Sequence, residues 1–185
     1  LKKDINKLKF GDLKDKPIEY VVHLAAMTSV YESLKKPDEC HKINTVGFER
    51  LIANIIKVNS VKKILYASSA AVYGNNLKTN SENSKLRPMS PYALSKIQNE
   101  KTAKKYSLKS KFSFIGFRFF NIYGKNQNPS SQYASVISKW TDLIKKGKKI
   151  EIYGNGENTR DFCHVNNVIF FLIYSINKKL NKNEI

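Results

Sequence analysis

At 185 residues with 41% hydrophobic side chains, the chain is long enough for one buried core and short for two full domains, and its composition is that of a globular protein. Its charge of +18 comes mostly from lysine, 29 of 33 basic residues, scattered without an arginine cluster or a basic-aromatic stripe, which argues for a solvated surface and against a nucleic-acid partner. Cys40 and Cys163 have no CxxC spacing or clustered histidines, no apolar run reaches the ~18 residues of a membrane span, and no charged-then-apolar leader precedes Asp4. A disulfide framework, a metal site and a membrane partner are therefore excluded, and a soluble cytoplasmic protein is expected.

In chain order, Gly11-Asp12-Leu13 reads as a turn, and Glu19 to Leu24 as a buried strand leaving through the small pair Ala25-Ala26. Pro37 to Asn59 carries Ile43, Val46, Leu51, Ile52, Ile55 and Ile56 on one helical face suited to covering a sheet. Lys62 to Ser68 predicts the strand that delivers Ser69, and Asn75 to Pro88 is a polar loop. The spacing then predicts a helix from Pro91 to about Lys109 and a strand from Phe112 to Arg118. A helix from Gln132 to Lys146 follows. Glu151-Ile152-Tyr153 and Arg160-Asp161-Phe162 read as a short strand pair, and Val165 to about Lys179 as a final helix. Gly154-Asn155-Gly156, the only G-x-G, opens no apolar helix and reads as a turn, not a phosphate cradle. Strands alternating with helices at this pitch predict an α/β, doubly wound parallel sheet that binds ligands beyond its C-terminal strand ends.

The stretch Ser69 to Lys96 carries the chemistry. Three Tyr-x-x-x-Lys pairs occur: Tyr31/Lys35, Tyr92/Lys96 and Tyr174/Lys178. Only Tyr92 follows a proline suited to a first helical turn, with a strand ending in Ser68-Ser69 upstream and another strand downstream. On a helix, Tyr92 and Lys96 share a face one turn apart. An unperturbed phenol titrates near ~10, and bringing it to about 7 takes roughly 4 kcal/mol of preference for the phenolate. A close lysine cation works in that direction and would leave Tyr92 poised as a base.

His23-Leu24-Ala25-Ala26, Ser68 to Gly74, Ser90-Pro91-Tyr92 to Lys96, Arg118 to Gly124 and Arg160-Asp161-Phe162 stand together in an order and at distances that resemble the extended short-chain dehydrogenase/reductases. Within them, the likeness is to the nucleotide-sugar 4-epimerases. The resemblance implies a Rossmann-like sheet whose N-terminal glycine-rich unit is missing here. It places an NAD-binding core over 1–124 and part of a small substrate-binding subdomain over 125–185. Both ends look truncated, so the segment alone is expected to be inactive and the longer enzyme a homodimer.

The roles follow from the same resemblance. Tyr92, assisted by an oxidised nicotinamide and by Lys96, takes the proton of the sugar 4-hydroxyl while Ser69 hydrogen-bonds that oxygen. Lys96 also holds the nicotinamide ribose. Asp12 accepts a hydrogen bond from adenine, and Leu13, Leu24, Ala25, Ala26 and Thr28 lie along the cofactor. Asn44 lies near the nicotinamide ribose, and Phe120 packs near the nicotinamide. Asn121 and Arg160 hold the diphosphate of a UDP-sugar, a task suited to a planar guanidinium, with Tyr133, Ala134 and Tyr153 also on the substrate side. The related 4,6-dehydratases and UDP-glucuronate decarboxylases carry an acid just after the active-site hydroxyl, where this chain has Ala70-Ala71, so epimerisation through a transient 4-keto sugar is favoured. The segment Tyr133 to Trp140, followed by Glu151 to Arg160, resembles the UDP-N-acetylglucosamine 4-epimerases of bacterial polysaccharide synthesis. A UDP-N-acetylhexosamine or its uronic acid is therefore the expected substrate. An inactive remnant and a basic binding module are the readings from other classes.

Overall fold

The sheet is built outward from Lys63–Ser69 (β2), whose Ile64, Leu65 and Tyr66 are almost fully enclosed. In the computed structural model, residues 2–76, 79–130, 134–179 and 183–184 are described. Tyr20–His23 (β1) pairs with β2 in parallel, Ser113–Phe119 (β3) lies on the other side of β2, and Asn183–Glu184 (β6) pairs parallel with β3, giving the order β1-β2-β3-β6. The chain forms two compact units. One runs to Arg118 and resumes at Ser175; the other spans Phe119–Tyr174.

In the first unit, the segment from Pro37 is not one regular helix. Pro37–Cys40 (α2) passes into a π-helical turn, His41–Val46, before Gly47–Ile55 (α3). Phe48, Leu51, Ile52 and Ile55 recur at helical spacing and pack on Ile64 and Tyr66 of β2, on Phe112 and Phe114, and on Ala103 of Pro91–Ser107 (α4). Val30–Lys35 (α1) precedes α2, with the Ser29 hydroxyl accepting Glu32 N at 2.9 Å as its cap. Lys63 serves the end of Val165–Asn177 (α6): its Nζ donates to the carbonyls of Ser175 and Ile176, both at 2.7 Å, and to that of Lys178. A cation there satisfies carbonyls that the helix leaves without amide partners.

The second unit holds a parallel pair, Asn121–Tyr123 (β4) with Phe162–His164 (β5), and the helix Val136–Lys145 (α5). This corrects the expected pairing of Glu151–Tyr153 with Arg160–Phe162. Residues 151–153 are exposed and form no strand, and Phe162 pairs with Asn121. The partner is set by the aromatic contact of Tyr123 with Phe162 and His164, at 6.3 and 5.2 Å between ring centres. Gly154 and Gly156 adopt φ of +77° and +82°, the left-handed turn expected of them. The helix expected from Gln132 begins at Val136, because Ser135 is its cap and accepts the amide of Ser138 at 3.3 Å.

One contact in the core has an unequal pair of consequences. A Cβ on Gly116 would stand 2.6 Å from both Cζ and Oη of Tyr66, while the Tyr66 hydroxyl itself has no hydrogen-bond partner among the described residues. Gly116→Ala should cost about 1–3 kcal/mol through overpacking. Tyr66→Phe should leave stability unchanged or raise it, because it removes an unpaired buried polar atom. Urea unfolding of the two variants checks both signs, and a large loss in Tyr66→Phe would show that the hydroxyl has a partner.

Candidate active site

At Ser69 the strand β2 ends in a tight turn. The Ser69 hydroxyl accepts the amide of Ala71 at 3.2 Å and opens the 3-10 turn Ala70–Tyr73. Gly74 follows at φ +65°, with the carbonyl of Arg87 where a Cβ would have to go, so the return of the chain requires glycine. Facing this turn, α4 starts on a complete cap: Ser90 Oγ accepts Ala93 N at 3.1 Å and Pro91 fills the first turn. The cap fixes Tyr92 and Lys96 on successive turns, both buried.

The structure thus brings Ser69, Tyr92 and Lys96 together. Ser69 stands close enough to the Tyr92 phenol to favour its ionised form. Lys96 Nζ lies 5.6 Å from the centre of the Tyr92 ring and donates to the carbonyl of Ala67 at 2.9 Å. Electrostatics differ from the simple expectation of a depressed phenol. Burial raises the pKa of Tyr92, with the Ser69 hydroxyl opposing it and the charge of an ionised Cys40 thiol adding to it. Lys96 does not reverse that balance, because burial lowers its own pKa to about 8 and its ammonium is spent on a backbone carbonyl. His23, at the end of β1, is pushed down to about 4, first by burial and then by the charge of Lys96, so it stands neutral at pH 7.

Asn44, expected near the nicotinamide ribose, is enclosed in the protein interior. It sits in the π-helical turn with 1% of its surface exposed. Its Oδ1 accepts Met27 N at 2.8 Å, and its Nδ2 donates to Met27 O at 3.0 Å and to Ser95 Oγ at 3.1 Å. Ser95 in turn donates to the carbonyl of Tyr92 at 2.7 Å. Asn44 therefore ties the loop after β1 to the helix that carries Tyr92. The π turn is what turns its side chain inward. Among the other expected cofactor residues, Leu24, Ala25 and Thr28 are exposed on that loop and Ala26 is half-buried, whereas Leu13 packs into the core. Asp12 Oδ2 takes Lys3 Nζ at 2.6 Å and Lys9 N at 2.8 Å, and these two bonds depress its carboxyl pKa.

In the second unit, a cavity of about 480 Å³ is lined by Ala134, Trp140, Ile152, Tyr153, Arg160 and Phe162, among others. It gathers Ala134, Tyr153 and Arg160 from three separate segments. Asn121 lies at the end of β4 and donates through Nδ2 to the carbonyl of Asp161 at 2.8 Å, next to Arg160 in sequence. Phe120 is half-buried just before β4, and Tyr133 lies outside the described residues. Among the described residues no helix is long and apolar enough to cross a membrane.

The profile of the NAD dependent epimerase/dehydratase family matches residues 8–185. The chain belongs to this family. A putative UDP-glucose 4-epimerase of Methanocaldococcus jannaschii is 36% identical over 166 residues, covering 89% of this chain and 54% of its own length. The solved UDP-N-acetylglucosamine 4-epimerase of Methanobrevibacter ruminantium M1, in complex with UDP-N-acetylmuramic acid, superposes with a TM-score of 0.92 at 34% identity, covering all of this chain and 59% of that one. MoeE5 in complex with UDP-glucuronic acid and NAD gives a TM-score of 0.89 at 31% identity, again over the whole chain and 60% of MoeE5. The chain spans about half the length of the curated relatives it matches.

The residues of this epimerase/dehydratase chain fit the family's NAD. Lys96 is a buried ammonium with three donors beside the end of β2, Asp12 keeps Oδ1 clear of hydrogen bonds among the described residues, and the small, exposed Ala25 permits a close approach to the loop after β1. Trp140, Ile152 and Phe162 are among the cavity-lining residues that the sequence did not mark as substrate residues. Trp140 recurs one turn after Val136, itself on the cavity wall, and that i, i+4 spacing was the available signal.

Proposed function

We propose that the protein is an NAD-dependent nucleotide-sugar 4-epimerase acting on a UDP-N-acetylhexosamine or its uronic acid. The observation that carries the reading is the assembled Ser69, Tyr92 and Lys96, followed by Ala70-Ala71 in the turn where a dehydratase of this family would need an acid. In the proposed reaction Tyr92 takes the proton of the sugar 4-hydroxyl and later returns it, and Ser69 steadies that oxygen and the phenol together. Lys96 and Asp12 would hold the cofactor at its nicotinamide ribose and its adenine. NAD+, when bound, supplies the redox chemistry that makes the C4 centre planar and restores it from the other face. Neither alanine can move a further proton, so elimination and decarboxylation lack a group that this chain would have to provide. Arg160, with its guanidinium on the cavity that Ala134 lines, is assigned to the diphosphate.

The small side chain of Ala134 supports the N-acetyl preference, because an acetamido group needs room that a large residue would occupy. In the complete enzyme we expect a higher kcat/KM for UDP-N-acetylglucosamine than for UDP-glucose, and Ala134→Phe should lower the N-acetyl rate selectively, since overpacking a formed wall costs about 1–3 kcal/mol. Steady-state assays with both sugars decide it. Equal values, or a preference for the plain hexose, would overturn the substrate assignment.

A further inference from the structure

We propose that Glu100, Arg118 and Ser68 form a positioning unit that sets Ser69 against Tyr92 by clamping the strand end and the following turn to α4. This rests on the epimerase reading for the roles of Ser69 and Tyr92, and on independent geometry for the clamp. Glu100 lies one turn beyond Lys96 on α4 and is 5% exposed. Its carboxylate receives Arg118 in a two-pronged contact, Nε to Oε1 at 2.9 Å and Nη2 to Oε2 at 2.8 Å. The same Oε1 accepts the Ser68 hydroxyl at 2.5 Å.

Two successive turns of one helix therefore reach two successive residues of β2. Lys96 holds the carbonyl of Ala67, and Glu100 holds the hydroxyl of Ser68. Ser69 comes next, with its side chain on the opposite face from that of Ser68, as strand alternation requires. Arg118 then continues to the far side of Ser69. Its Nη1 donates to the Tyr73 hydroxyl at 3.2 Å and to the Glu82 carbonyl at 2.8 Å, and its guanidinium lies 5.2 Å from the Tyr73 ring centre. Tyr73 closes the turn that Ser69 opens. Both sides of Ser69 are thus fastened to one buried ion pair whose side chains are 6% and 8% exposed. A planar fork is what allows one residue to hold a carboxylate and a phenol at once, and a lysine at 118 would hold only one of them well.

The test uses variants that keep the buried charges balanced. Ser68→Ala removes one uncharged rung, and Arg118→Lys keeps the ion pair while losing the fork. The groups that face Tyr92 are Lys96 and Ser69, with Cys40 from α2 acting through its charge and His23 from β1 beside Lys96. None is altered by either substitution. We expect kcat to fall about tenfold in each variant with KM for the nucleotide sugar changed by less than about twofold, the pattern of an interaction that counts in the transition state. We also expect the phenol of Tyr92, followed by tyrosinate absorbance as the difference from the matching Tyr92→Phe protein, to titrate at higher pH, because a displaced Ser69 no longer favours the phenolate. The spectral titration depends on no substrate. If the complete enzyme turns over no nucleotide sugar but the Tyr92 titration moves, the epimerase reading fails and the clamp stands. If both variants lose melting temperature yet keep kcat and the Tyr92 titration of the parent, the pair only supports the fold and the proposal is overturned.

Discussion

In the complete enzyme, Tyr92→Phe should reduce turnover by about 10²- to 10⁴-fold, the contribution of a positioned acid/base, while substrate and cofactor affinities stay within a few-fold of the parent. The substitution removes one oxygen from a buried ring and leaves its packing in place, so the loss falls on kcat and not on folding. Ser69 still accepts Ala71 N, so the turn is kept. The two other Tyr-x-x-x-Lys pairs provide the control. Tyr31 is 48% exposed with Lys35 Nζ 4.3 Å from its ring centre, and Tyr174 is 47% exposed. Neither is enclosed as Tyr92 is, so Tyr31→Phe and Tyr174→Phe should keep kcat within about twofold, as surface substitutions usually do for stability too. Comparable losses at all three positions would mean that spacing alone, and not enclosure beside Ser69, had been read.

Parts of this site are legible in the residues because they rest on local rules. Ser90-Pro91 announces a helix start, the spacing of Tyr92 and Lys96 puts them on one face, and an apolar run ending in Ser68-Ser69 announces a strand that stops at a polar edge. Each is a statement about neighbours in sequence, and the structure carries it out within a residue or two. What escaped depends on partners far along the chain. Nothing near Asn44 says that its amide will meet Met27 and Ser95, or that residues 41–46 will widen into a π turn to let it do so. A short stretch such as Glu151-Ile152-Tyr153 looks like a strand until the competing pair, Phe162 against Asn121, is known. Nothing local pairs Glu100 with Arg118 either, since an acid on a helix and an arginine at a strand end are ordinary surface residues until burial joins them. The electrostatics of the phenol were not legible for a related reason. The lysine that was to depress it is buried too, and desolvation acts on both.

That shared burial gives Lys96 two opposed effects, and Lys96→Met should separate them. Turnover should fall by about 10²- to 10³-fold, the loss typical of removing one preorganised electrostatic contact. Stability should move in a pH-dependent way. Lys96 has a folded-state pKa of about 8 against an ordinary 10.5, so between those values the unfolded chain binds more protons and stability rises with pH. Below pH 8 the whole cost of burying the ammonium is present, about 3 kcal/mol at ~1.36 kcal/mol per unit. The methionine variant escapes that cost but leaves the Ala67 carbonyl without its donor, a loss of about 1–3 kcal/mol that does not depend on pH. At pH 7 the two terms nearly cancel, and the variant should be as stable as the parent or slightly more so. Toward pH 10 the parent's cost disappears while the variant's remains, so the parent should gain roughly 2 kcal/mol on it. Urea unfolding of both proteins at pH 7 and pH 10 reads this directly, with the alkaline titration of the other lysines common to the pair. A stability difference that stays constant between the two pH values would mean that Lys96 reaches water in the folded protein, and its place beneath Tyr92 would have to be redrawn.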